Sequence, residues 1–253
     1  MAALSLVCLA LYTLTSLVVG TRLILRSRHS GRLPELLMGL TYVASSGIGY
    51  PLAVASTFFT SRPALLAAVV VGEVLIVIGC STFLFFNAVV FRPNAVWSMP
   101  AAALGSLVLA AGAAAVIAAY FSTSDAVLVA ERSRAGTAAM LFALGAGHAW
   151  TAVEGLRHYR MMRKRLALGL ADPVVANRFL LWGLTGLVSV AWNGVASSYV
   201  LAGANVGADP VPVLAISVGG LASAIMLVLI FMAPAWYVRW LGRERPSRAL
   251  ATA

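Results

Sequence analysis

Apolar residues run in long blocks along this chain, and the polar positions gather in short clusters between them. A helix needs about 20 mostly apolar residues to cross a hydrocarbon core about 30 Å thick. Seven stretches meet that length: Leu4 to Leu25, Glu35 to Phe58, Pro63 to Val90, Pro100 to Phe121, Ala135 to Leu156, Val174 to Leu201 and Val211 to Val238. Pro34, Pro63, Pro100 and Pro173 fall at or near first turns, where a missing N–H breaks no intrahelical bond. Asp172 suits the N-cap of the sixth helix. The pattern predicts an all-α membrane protein, a single seven-transmembrane-helix bundle over residues 1–253. The opening "MAALSLVCLALYTLTSLVVG" lacks a basic n-region and exceeds a signal peptide's apolar core, so it reads as the first spanning helix.

Composition agrees with that picture, because 61% hydrophobic and 10% charged residues is far from a soluble domain, which is about a quarter charged. The formal charge of +10 does not point to nucleic acid, since the basic residues sit between apolar runs as membrane-flanking charges do. With the N-terminus outside, all of the 18 Lys and Arg residues except Arg62, Arg132 and Arg134 fall on the cytoplasmic side, Arg245 and Arg248 among them. The positive-inside rule therefore predicts the N-terminus outside and the C-terminus in the cytoplasm. Abundant alanine and a single lysine, Lys164, suggest a GC-rich bacterial genome and hence a multi-pass protein of a bacterial inner membrane. The segment "RHYRMMRKRLALGLADP" alternates basic and apolar residues. It reads either as a solvated loop that sets topology or as a stretch lying on anionic lipid headgroups.

Short internal matches bear on the architecture. "GTR" at Gly20 and "GLR" at Gly155 close the first and fifth helices, and "GLT" recurs at Gly39 and Gly183 in the second and sixth. They allow a 3+1+3 arrangement of parallel three-helix repeats. The fourth helix is dominated by Ala and Gly, which permit close backbone approach; it either packs tightly on its neighbours or forms a homodimer. Pro51 and Pro234 interrupt the second and seventh helices and predict kinks. Trp236, Tyr237 and Trp240 form an interfacial aromatic belt.

Ionisable groups inside spanning helices are functional candidates by default. Glu35 opens the second helix, where its charge suits the helix dipole. Glu73 lies roughly 14 Å into the core, with no basic residue in its own helix interior. Counting the fifth helix from Ala138 puts His148 about 15 Å deep, at the same level. Asn193, Trp192, Tyr50 and Ser46 are within a few residues of it. Either these residues form one midplane polar site, with Glu73 as acid and His148 as proton partner, or each satisfies a local helix–helix hydrogen bond. Glu154 falls about 240° around the helix from His148, with Arg157 and His158 at the i+3 and i+4 spacing of a structural ion pair.

Several chemistries are excluded. A covalent retinal pigment needs a lysine inside a spanning helix, and Lys164 is in a loop. His29, His148 and His158 are too dispersed for a zinc centre, no serine–histidine–acid set stands out, and Cys8 and Cys80 differ in depth, against a disulfide. No metal, cofactor or catalytic residue is expected.

"GTRLILRSRHSGRLPELLMGLTYVASSGIGYPL", Gly20 to Leu52, is similar to the first-to-second-helix segment of uncharacterised seven-transmembrane-helix inner-membrane proteins of proteobacteria, with its basic turn, "LPELLMG" and following glycines. That resemblance implies a bacterial origin and the helix count, and no activity. The residues themselves point first to a transporter or permeation protein for a small solute or proton. The alternative is a receptor-like sensor that binds a small apolar ligand and signals through a cytoplasmic partner.

Overall fold

A computed structural model describes residues 2–204 and 209–243, so Arg245 and Arg248 lie outside the described residues. These residues are helical, with no strand among them. The helices are α1 (Ala2–Ser30), α2 (Leu33–Phe58), α3 (Arg62–Phe91), α4 (Ser98–Ser122), α5 (Ala126–Ala167), α6 (Pro173–Leu201), α7 (Pro210–Phe231) and a short α8 (Ala235–Arg243). Six of them, α1 to α4, α6 and α7, are long and apolar enough to cross a membrane. α5 is the longest at 42 residues, yet it is not among the six, because its length carries Glu154, His148 and a basic end.

Helix ends follow local chemistry. Asp125 and Asp172 accept backbone N–H bonds from Val127 and Val174, each at 2.8 Å, and so cap α5 and α6. Gly31 and Gly169 adopt φ of 67° and 72° in the turns that follow α1 and α5, the left-handed region that glycine enters without a Cβ penalty. The expected kink at Pro234 is instead a break. α7 stops at Phe231 and α8 starts at Ala235, because proline has no N–H to continue the ladder and its ring crowds the preceding turn. Around Pro51 the helix continues but changes pitch. Thr41–Gly49 is a π-helix, a short α-segment Tyr50–Ala55 follows, and Ser56–Phe58 closes in a 3-10 turn. The wider π turns, in which the Tyr50 N–H reaches the Ser45 carbonyl, make room for a ring that would otherwise press on the carbonyl four residues earlier.

Consecutive helices pack side by side, and α7 returns to α1, so the long helices form a closed ring. α3 leans inward and also meets α5. Glycines set the closest approaches. A Cβ added at Gly39 would lie 2.9 Å from the Gly20 carbonyl oxygen, at Gly49 3.0 Å from that of Gly72, and at Gly136 2.6 Å from that of Gly112. At Gly155 it would lie 2.7 Å from the Gly183 nitrogen. With no hydrophobic force between helices in lipid, such contacts carry the association. The Ala/Gly-rich α4 packs on α3 and α5 with one face of small residues, Ala102, Gly112, Ala113 and Ala119, while Ala103, Ala110, Ala111 and Ala114 on its other face are exposed.

One end of the ring gathers basic side chains. Arg26 pairs with Glu35 at 3.1 Å, Arg92 with Glu154, and Tyr237 of α8 receives a hydrogen bond from Asn177. At the opposite end Arg62 donates to the Tyr120 and Thr123 carbonyls, and Arg132 donates to Ser122 at 2.8 Å.

Candidate functional site

The ring encloses a cavity of about 1080 Å³ to which all seven long helices contribute. That volume is at the upper edge of small-molecule pockets, which hold roughly 300–1,000 Å³. It runs from Ser5, Phe58, Val200 and Pro210, near the end where α1 starts, down to Phe83, His148, Trp182 and Leu227. Beneath that level the interior is filled. Phe86 stacks on Trp182 at 5.5 Å, Trp182 meets Phe231 edge-on at 5.7 Å, and Phe231 meets Tyr42 at 6.1 Å.

Most of the wall is apolar, and its polar atoms are few and placed. Tyr12 of α1 shares a 3.0 Å hydrogen bond with Ser46 of α2. Thr41 of α2 shares one of 3.0 Å with Thr82 of α3, while also donating to Leu37. Glu73 of α3 is half-buried on the wall, and its Oε2 is buried with no hydrogen-bond partner. His148 Nδ1 donates to the Leu144 carbonyl at 2.9 Å. Because a carbonyl only accepts, Nδ1 carries the proton of this bond. Phe83 packs against the His148 ring at 4.8 Å.

Glu73, His148, Tyr50, Trp192 and Ser46 all line this one space. It does not bring the first two to one level. α3 and α5 run in the same direction, and their register is given by Phe83 on His148, Thr151 donating to Asn87 at 2.9 Å, and Arg92 on Glu154. Glu73 precedes Phe83 by ten residues, which is about 15 Å of helix, and so faces the neighbourhood of Thr137. The expected shared level came from starting the α5 span at Ala138, whereas the helix begins at Ala126. Asn193 lies elsewhere. It is buried at the α5–α6 contact near Gly145, donates to Ser189 at 2.8 Å and is not part of the wall.

Glu154 also has a different principal partner from the expected one. It is 3% exposed, and Arg92 Nε and Nη2 both reach its Oε1 at 2.6 Å. Arg157 and His158 stand at 4.0 and 3.9 Å from Oε2. Immediately above, Asn87 donates to the Gly147 carbonyl at 3.1 Å and accepts from Thr151. A ladder of polar contacts thus joins α3 to α5 from the cavity floor to the basic end. Arg92, Asn87 and Thr151 escaped the reading of the sequence. The available signal was their spacing: Asn87 and Arg92 share the last turns of α3, and Thr151 stands three residues after His148 and three before Glu154.

No protein-family profile matches the chain, and no curated protein or solved structure is significantly similar to it. Among the described residues no group of three or more His, Cys, Asp or Glu is placed to hold a metal ion.

Proposed function

We propose that this protein is a multi-pass transporter of a bacterial inner membrane, moving a small solute through the central cavity by alternating access between two halves of the bundle. The observation that carries the reading is a large cavity that reaches one end of the ring and is closed towards the other by an aromatic floor and a polar ladder. One occluded end and one accessible end is the form of a resting alternating-access state.

The seventh span in this reading is α5. Its hydropathy is lowered by residues that face inward and are satisfied there: Glu154 on Arg92, Thr151 on Asn87, His148 on Leu144. Intramembrane polar groups belong on such inner faces. The ring order, with α5 between α4 and α6, supports placing it in the bilayer. The basic end then faces the cytoplasm and anionic headgroups, and α1 starts outside.

Matched contacts favour two three-helix repeats flanking α4. Gly20 meets Gly39 as Gly155 meets Gly183. The Thr41 hydroxyl reaches Thr82 at 3.0 Å as the Thr185 hydroxyl reaches Met226 Sδ at 3.4 Å, each position 144 residues on (41 to 185, 82 to 226). Thr41 and Thr185, and likewise Ser45 and Ser189, face the same cavity from its two sides. Transporter sites sit at such repeat interfaces.

Sided labelling tests the proposal. Single-cysteine variants at Val54 and at Thr151 are reacted with a membrane-impermeant thiol reagent in oriented vesicles. Alternation predicts that Val54→Cys reacts from the α1-start side and Thr151→Cys from the basic side, and that a bulky adduct on either slows the other. A Thr151→Cys thiol that never reacts from the basic side removes the transport reading. One feature favours a sensor as the second reading. α5 runs unbroken from the cavity wall at Thr137 to exposed Arg163, Lys164 and Arg165, a rigid connection from a ligand to a cytoplasmic partner.

A further inference from the structure

We propose that the cavity takes a lipophilic organic cation, an apolar body carrying one amine or quaternary ammonium group, and that Glu73 holds its charge. The proposal rests on the cavity being the binding site and deepens that reading by naming the ligand class.

Glu73 is the one carboxylate on the cavity wall, and no Lys or Arg lies on that wall among the described residues. Its Oε2 is buried and accepts no hydrogen bond. Hydrogen-bond capacity left open at a buried oxygen is costly, and a cationic ligand would complete it. The repeat-related position is Ser217, whose hydroxyl is already engaged by Ser5 and the Val213 carbonyl. Only one half of the cavity therefore offers a charge, which suits a ligand with one cationic group. The rest of the wall sets the body of that ligand. A bare metal cation would need several oxygen donors to replace its water shell, and a mostly apolar wall with one carboxylate among the described residues does not supply them. An apolar body is matched by the wall, and the ring faces of Tyr50 and Trp192, which also line the space, are the type of surface on which organic ammonium groups rest. An anionic ligand would meet Glu73 with no Lys or Arg on the described wall to offset it.

The test uses two probes of the same shape. Benzyltrimethylammonium and its uncharged carbon analogue neopentylbenzene are titrated against the purified full chain in detergent, and binding is followed by the fluorescence of Trp182 and Trp192. The expected result is that the cation binds at least tenfold more tightly than the analogue, that Glu73→Gln removes that preference, and that the analogue binds the variant within twofold of its affinity for the parent. The last measurement also shows that the variant is folded and its cavity intact. Equal binding of the two probes to the parent protein, or a cation preference that survives Glu73→Gln, overturns the cation proposal while leaving the cavity as a binding site. Binding of neither probe overturns both.

Discussion

The Glu154 carboxylate of α5 and the Arg92 guanidinium of α3 meet at 2.6 Å beneath the aromatic floor of the cavity, with the carboxylate only 5% exposed. Removing one member of a buried pair leaves the other uncompensated, at about 3–5 kcal/mol. Arg92 is itself 33% exposed, so the low end of that range applies. Arg92→Ala is expected to lower stability by about 3 kcal/mol, read as a shift in denaturant midpoint in detergent. Arg157→Ala, which removes a 4.0 Å contact from a side chain 56% exposed, is expected to cost under about 0.5 kcal/mol. Equal losses for the two variants would show that Glu154 is held by its own helix and not by α3.

The two buried asparagines should behave oppositely. Asn87 donates to Gly147 and accepts from Thr151 across the α3–α5 contact. Asn193 makes only a local bond to Ser189, and its Oδ1 has no partner. Asn87→Leu is therefore expected to destabilise by about 1–2 kcal/mol through loss of both bonds that join α3 to α5, although the Thr151 hydroxyl still donates to the Gly147 carbonyl at 3.1 Å. Asn193→Leu, which removes an unsatisfied group while keeping the branched shape and heavy-atom count, should stay within about 0.5 kcal/mol of the parent. Thermal unfolding of the pair side by side checks the order.

Close helix approach gives a second contrast. A Cβ at Gly79 would stand 2.5 Å from the Ser45 backbone nitrogen, whereas one at Gly194 meets nothing within 4 Å. Backbone cannot rotate away as a side chain can, so Gly79→Ala should force α2 and α3 apart at about 1–3 kcal/mol. Gly194→Ala should stabilise by up to about 1 kcal/mol through helix propensity. Denaturant midpoints for both variants decide it, and a neutral Gly79→Ala would mean that the α2–α3 contact is looser than described.

What could be read in advance follows from which interactions are local. Apolar run length marked the six helices long and apolar enough to cross a membrane, and Asp172 and the early prolines marked helix starts, because spanning and capping depend on residues next to one another. Five of the six cavity candidates were also legible, since a polar residue deep in a greasy helix has few places to point except inward. The register between helices was not. Whether Glu73 stands level with His148 or about 15 Å above it depends on where α5 begins and on the Phe83, Asn87 and Arg92 contacts, none of which leaves a trace within a single helix. The same holds for Glu154. Arg157 and His158 were visible at i+3 and i+4, whereas Arg92 lies 62 residues away. Hydropathy continues through Pro234 and predicts only a kink there, but the backbone ends α7 at Phe231.

Gly220 offers a way to fill the cavity without disturbing the wall. It lines the space, and a Cβ added there meets nothing within 4 Å. At its neighbour Gly219 an added Cβ would meet the Trp192 ring at 2.9 Å. A phenyl group at 220 would project into a volume of about 1080 Å³, where it displaces a ligand but no packed side chain. Gly220→Phe is expected to keep the parent's unfolding midpoint and to reduce binding of benzyltrimethylammonium at least tenfold. Gly219→Phe should lose stability by about 1–3 kcal/mol from overpacking against Trp192. Stable folding with undiminished binding in Gly220→Phe would move the ligand out of this cavity, and with it the role assigned to Glu73.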